Sequence, residues 1–109
     1  MENKLIESCI AACQVCADAC DTCSTENKGK EGMEHSVKLC IACKDACNEL
    51  IAASKTDANL DALCKKCEAA CIACATECEK HTDMKHCQAC VDACHKCADE
   101  CKAMLAVAA

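Results

Sequence analysis

Apolar positions along the chain recur every three or four residues, and cysteine occupies most of them. The first run is Cys9, Cys13, Cys16, Cys20 and Cys23. The second is Cys40, Cys43 and Cys47, the third Cys64, Cys67, Cys71, Cys74 and Cys78, and the fourth Cys87, Cys90, Cys94, Cys97 and Cys101. All 14 gaps within these runs are three or four residues and alternate strictly. That is a heptad seam with cysteine at both a and d, so each run lines one stripe of an α-helix. A strand would need a period of two. Charged residues such as Asp18, Lys44, Asp45, Lys65, Glu68, Asp92 and Lys96 fall off the seam and read as solvated faces.

The breaks between runs carry loop and capping chemistry. Both glycines, Gly29 and Gly32, lie between the first two runs. Thr56 or Asp57 offers an N-cap before the third run, and Thr82 or Asp83 one before the fourth. The predicted helices are 2–25, 33–54, 57–80 and 83–106, each about 33–36 Å long at 1.5 Å per residue. Short connections between long helices favour antiparallel neighbours. The expected fold is therefore all-α, an antiparallel up-down-up-down four-helix bundle with a cysteine-lined core, formed by 1–109 as one domain. Alanine directly precedes eight of the cysteines, at Ala12, Ala19, Ala42, Ala46, Ala70, Ala73, Ala89 and Ala93. Small residues there leave room around the thiols or let helices approach closely.

Composition changes the meaning of that seam. The chain has no aromatic residue, and Ile, Leu and Val together make only 15 of 109 residues. A charged chain so poor in large aliphatics does not ordinarily fold. Cysteine, at 18 residues, has to supply the core, as a small hydrophobe whose thiolate is also a soft metal ligand. The net charge of −6 and the lack of aromatics argue against nucleic acid. No apolar run is long enough to span a bilayer, so no membrane partner is expected. The charged start, Met1 to Ser8, lacks an apolar signal region, so a cytoplasmic location is expected. In that reducing compartment so many cysteines read as metal ligands rather than disulfides.

The choice of metal follows from charge. Zn(II) prefers four thiolates, and four such ions on 16 thiolates would leave about eight negative charges in the core. Iron–sulfur clusters carry a similar excess, and the continuous seam does not divide into obvious four-cysteine nests. Cu(I) is soft, monovalent and satisfied by two or three thiolates. One Cu(I) per thiolate is neutral, which predicts a capacity of roughly 18 ions. The function expected from the residues is high-capacity Cu(I) sequestration without catalysis. A thiolate buffer for zinc or cadmium is the runner-up. A redox enzyme finds little support, since no CxxC is set apart, and a copper chaperone needs one exposed, exchangeable site.

The two ends of the bundle differ. One gathers Met33, His35, His81, Met84 and His86. Extending the cysteine register puts Met33 and His81 on the seam, with His35 and His86 beside it, so these five are candidates for admitting metal. The other end gathers Leu5, Ile6, Leu50, Ile51, Leu60, Leu63, Met104 and Leu105, an apolar plug in which Met104 is packing rather than ligand. His95 lies one residue off the seam and reads as a surface residue.

From about Leu5 to Met104 the sequence resembles the bacterial copper storage proteins, in particular their cytosolic branch. The likeness rests on four runs of CxxxC and CxxC, the missing signal, and a His/Met end opposite an apolar one. It implies Cu(I) bound inside a four-helix bundle and assembly as a homotetramer. The second helix carries only three cysteines, so fewer coppers are expected beside Met33 and Ser36.

Overall fold

The structure is a computed structural model that describes residues 2–56 and 60–108. It consists of α1 (Glu2–Asn27), α2 (Glu34–Ser54), α3 (Asp61–Cys78) and α4 (Lys85–Ala108), with a 3₁₀ turn at Glu79–His81. The 26 residues of α1 give a helix of about 39 Å. This accounts for the long dimension of a 44 × 20 × 18 Å body. Each helix packs on two neighbours: α1 lies against α2 and α4, and α3 against α2 and α4. The backbones of the diagonal pairs stay apart, so the cross-section is a square of four antiparallel helices.

Helix ends depart from the sequence expectation where capping was concerned. Neither Thr82 nor Asp83 caps α4. The helix starts later, at Lys85, and the Met84 carbonyl accepts its first bonds, from the amides of Cys87 and Gln88. The chain spends 79–84 on a 3₁₀ turn and a bend instead of continuing α3 to residue 80. The third helix begins at Asp61, with Leu60 at the N-cap position and no side-chain cap. Thr56 donates backwards to the Ala53 carbonyl and so closes α2 rather than opening α3. Asp57 lies outside the described residues. Between α1 and α2, Gly29 and Gly32 adopt φ of +83° and +84°, the left-handed region that glycine enters without a Cβ penalty.

The seam faces inward along its whole length. All 18 cysteines are free and buried. Among the described residues, the only larger side chains fully buried with them are Leu50 and Asn27. The alanines divide by register. Ala12, Ala46 and Ala93 are buried and Ala19 and Ala70 half-buried, all preceding an a-position cysteine and so turned toward a neighbouring helix. Ala42, Ala73 and Ala89 precede d-position cysteines, which turns them outward, and they are exposed. Val91 is buried and Ile10 packs on the core from off-seam positions, whereas Val15, Ile41 and Ile72 remain exposed. The charged faces carry ion pairs such as Lys44–Asp21 and Lys96–Glu100. At the apolar end Leu50 is fully buried, and Ile51, Leu60, Leu63, Met104 and Leu105 pack against the core while remaining half-buried.

Leu50 is thus the largest apolar anchor in a core that otherwise relies on sulfur. Leu50→Ala is expected to destabilise the reduced apoprotein by about 2–5 kcal/mol, measured by chemical unfolding. Lys65→Ala on an exposed, solvated face should stay within about 0.5 kcal/mol of the parent.

Candidate metal centre

Four helices that each present sulfur every three or four residues bring those sulfurs together at successive levels. Near the apolar end Cys9 and Cys101 lie 3.8 Å apart. One level further in, Cys97 lies 3.6 Å from Cys13, 3.9 Å from Cys47 and 3.7 Å from Cys67. At mid-bundle Cys16, Cys43, Cys71 and Cys94 meet at 3.6–3.9 Å. Here the diagonal helices touch through their thiols although their backbones do not. Cys20, Cys40, Cys74 and Cys90 form the next level, and Cys23, Cys78 and Cys87 the last. The contacts join into one path. From Cys13 it runs through Cys97, Cys67, Cys71, Cys16, Cys94, Cys90, Cys40, Cys78 and Cys23 to Cys87, with no step longer than 4.0 Å.

The sulfurs do form four-thiol groups, contrary to the sequence expectation. Cys13, Cys47, Cys67 and Cys97 lie within 4.8 Å of one another, as do Cys16, Cys20, Cys43 and Cys94, and Cys23, Cys40, Cys78 and Cys90. A one-dimensional seam hides these groups because each draws its members from three or four helices.

Proton sharing inside the core is uneven. Cys13, Cys71 and Cys94 are held protonated, above the ordinary thiol range, by hydrogen bonds to surrounding sulfurs and then by burial. Hydrogen bonds from neighbouring sulfurs draw Cys16 and Cys67 downward, while burial opposes their ionisation. At the outer edge burial pushes the Cys87 thiol up, against hydrogen bonds from Asn27 and Cys23. A soft cation that replaces these protons gives every sulfur a charge partner without water.

Polarity in the interior is confined to one end. The four buried polar side chains among the described residues are Ser24, Asn27, Ser36 and Glu77, all at the end that carries the His/Met cluster. Asn27 is fully buried. Its amide donates to the sulfurs of Cys23 (3.4 Å) and Cys87 (3.5 Å), and its carbonyl accepts from Nε2 of His86 at 2.9 Å. His86 is therefore the histidine tied to the outermost thiols. Ser36 stands where α2 lacks a further cysteine and contacts Cys78 at 3.8 Å. Met33 is buried at the same end, as its register predicts. His81 is half-buried and pairs at 3.2 Å with the buried Glu77, which also pairs with Lys80. Although burial opposes it, those two partners hold the Glu77 carboxyl below its ordinary range. Met84 is half-buried with the Lys30 ammonium against its sulfur, and His35 is exposed. His95 is a surface residue paired with Glu79.

Asn27 and Glu77 escaped the sequence reading. One further step of the register from Cys23 lands on Asn27, the same extension that finds Met33 and His81. Glu77 could have been found from its spacing to His81, since residues four apart share a helix face.

Fold and site together define a class: a helical bundle whose interior is a soft-metal ligand set rather than a hydrocarbon core. The comparisons with known proteins agree. The sequence model of the family Csp, copper storage protein, matches residues 2–106. The chain therefore belongs to the copper storage protein family. Among solved structures it is similar to the Cu(I)-bound copper storage protein BsCsp3, with 38% identity, 93% of this chain and 98% of that one covered, and a TM-score of 0.85. Apo copper storage protein 3 from Bacillus subtilis gives 40% identity over 91% and 97% of the two chains, with a TM-score of 0.84. A cytosolic copper storage protein from Streptomyces lividans gives 27% identity over 96% and 95%, with a TM-score of 0.90. No curated protein matches significantly.

Removing the Asn27 amide leaves His86 and two thiols without their shared partner. Asn27→Ala is expected to cost the reduced apoprotein about 1–3 kcal/mol, read from its unfolding midpoint.

Proposed function

We propose that this chain is a high-capacity cytosolic Cu(I) store that fills through the end bearing Met33, His81 and His86. The observation that carries the reading is the unbroken path of buried free thiols from Cys13 to Cys87. All 18 cysteines are assigned as copper ligands. An ion passes inward by exchanging one thiolate for the next, the proton of the newly bound thiol passing to the sulfur just vacated, so that each copper releases one proton in all. Along the path a neighbouring sulfur is always within about one ligand's reach. Loading to one ion per thiol leaves the core neutral, which sets the capacity at roughly 18.

Admission is assigned to the polar end because the buried polar groups gather there, while Leu50 and its neighbours close the other. Met33, His81 and His86 offer a thioether and imidazoles, weaker ligands than thiolate, so an ion held there moves on. Met84 and the exposed His35 extend the approach. The protein acts by holding metal and not by turning over a substrate. No helix among the described residues is long and apolar enough to cross a membrane, which suits a cytoplasmic store. The assembly we expect is a homotetramer of single-domain bundles, and the exposed Val15, Ile41 and Ile72 are apolar surface available to it.

Anaerobic titration of reduced apoprotein with Cu(I), followed by thiolate absorption and native mass, is expected to saturate near one copper per thiol. Saturation at one or two ions would sink the storage reading. Replacing Met33 and His81 together should slow copper uptake several-fold while leaving the final capacity intact. An unchanged rate would remove them from the mouth.

A further inference from the structure

The sulfur geometry supports a second mode of filling, distinct from the copper one. We propose that the empty core also takes up three soft divalent d¹⁰ cations, Zn(II) or Cd(II), each on a four-thiolate site, and that Cu(I) expels them. The inference uses the thiols of the copper reading but rests on a different property, their arrangement in fours.

A Zn–S bond of about 2.3 Å places the sulfurs of a tetrahedral site about 3.8 Å apart. In the group Cys13, Cys47, Cys67 and Cys97, four of the six sulfur pairs already lie at 3.6–3.9 Å. In the group Cys16, Cys20, Cys43 and Cys94, four pairs lie at 3.6–4.0 Å. In the group Cys23, Cys40, Cys78 and Cys90, three pairs lie at 3.9–4.0 Å. All remaining pairs in the three groups fall within 4.8 Å. The three groups share no cysteine. They stack along the bundle axis, so all three can be filled at once. The four-thiol arrangements Cys16, Cys43, Cys47 and Cys71, and Cys20, Cys74, Cys90 and Cys94, borrow members from these groups and compete with them.

Charge separates the two modes. A divalent ion displaces four thiol protons and leaves a site of charge −2, so three ions leave about six buried negative charges. Each Cu(I) displaces one proton and leaves a neutral unit. Four Cu(I) entering one group therefore release one divalent ion and remove its excess charge, with no proton exchanged. Acid separates them too. Four protons per ion make the apparent affinity for the divalent ion fall up to about 10⁴-fold per pH unit below the thiol pKa, against about tenfold for each Cu(I).

The test uses Cd(II) on the reduced, metal-free full chain under anaerobic conditions. Cadmium-to-thiolate absorption, native mass and proton release are read together. Wild type is expected to saturate at three ions with four protons released per ion, and cadmium NMR should give three tetrathiolate resonances. Subsequent Cu(I) should expel all three. Cys97→Ser belongs to the first group alone and should lower the count from three to two while lowering copper capacity by only about one ion. The wild-type ion and proton counts decide the matter even if that variant folds poorly. Any wild-type saturation other than three, or fewer than four protons per ion, overturns the inference. A chain that fills with copper but refuses Cd(II) overturns it alone, and one that binds neither metal sinks the storage reading as well.

Discussion

Everything in this bundle depends on keeping a sulfur core electrically neutral. Eighteen buried thiols cannot all ionise without charge partners, because burial in low dielectric opposes each charge and neighbouring charges repel. In the apo chain protons supply neutrality, shared unevenly from sulfur to sulfur. In the loaded chain as proposed, a monovalent soft cation takes the place of each proton. The heptad seam, the alanines turned toward neighbouring helices and the near-absence of large aliphatics all follow from bringing the thiols of four helices within about 4 Å of one another. The consequence is a core with little hydrocarbon to hold it. Fully buried Leu50 at one end therefore matters to the empty protein, and bound metal adds stability as any ligand of the folded state does.

The two ends solve opposite problems. The apolar end has only to exclude water. The polar end has to let an ion leave water and reach thiolate without crossing hydrocarbon. On the proposed reading it does so with graded chemistry: exposed His35, half-buried His81 and Met84, then His86 linked through Asn27 to Cys23 and Cys87. Glu77 holds the His81 ring at 3.2 Å and offsets the Lys80 ammonium, which would otherwise repel an incoming cation.

Much of this was legible in the sequence, for a physical reason. A seam whose gaps alternate strictly between three and four fixes the helices, their inward face and the identity of the core residues, because helical geometry leaves no other way to bury it. Antiparallel topology then placed Met33, His81 and His86 at one end and Leu50 at the other. What failed were properties set by contacts between helices or by local backbone choice. The threonine and aspartate expected to cap α4 were spent in a 3₁₀ turn and bend that reorient the chain. The four-thiol groups combine residues far apart in sequence and were invisible along any single seam. Asn27 was within reach of the register rule, but its role as a bridge between His86 and two thiols needed the third dimension.

Neutrality itself can be counted. Protons released during anaerobic Cu(I) loading, measured in lightly buffered solution from empty to saturated, report the charge left in the core. A neutral copper–thiolate core predicts a total of one proton per copper at saturation, with copper equal to thiols. Saturation near half that number of coppers with two protons released per ion would contradict it, since every copper would then carry two thiolates and the core would be filled with negative charge.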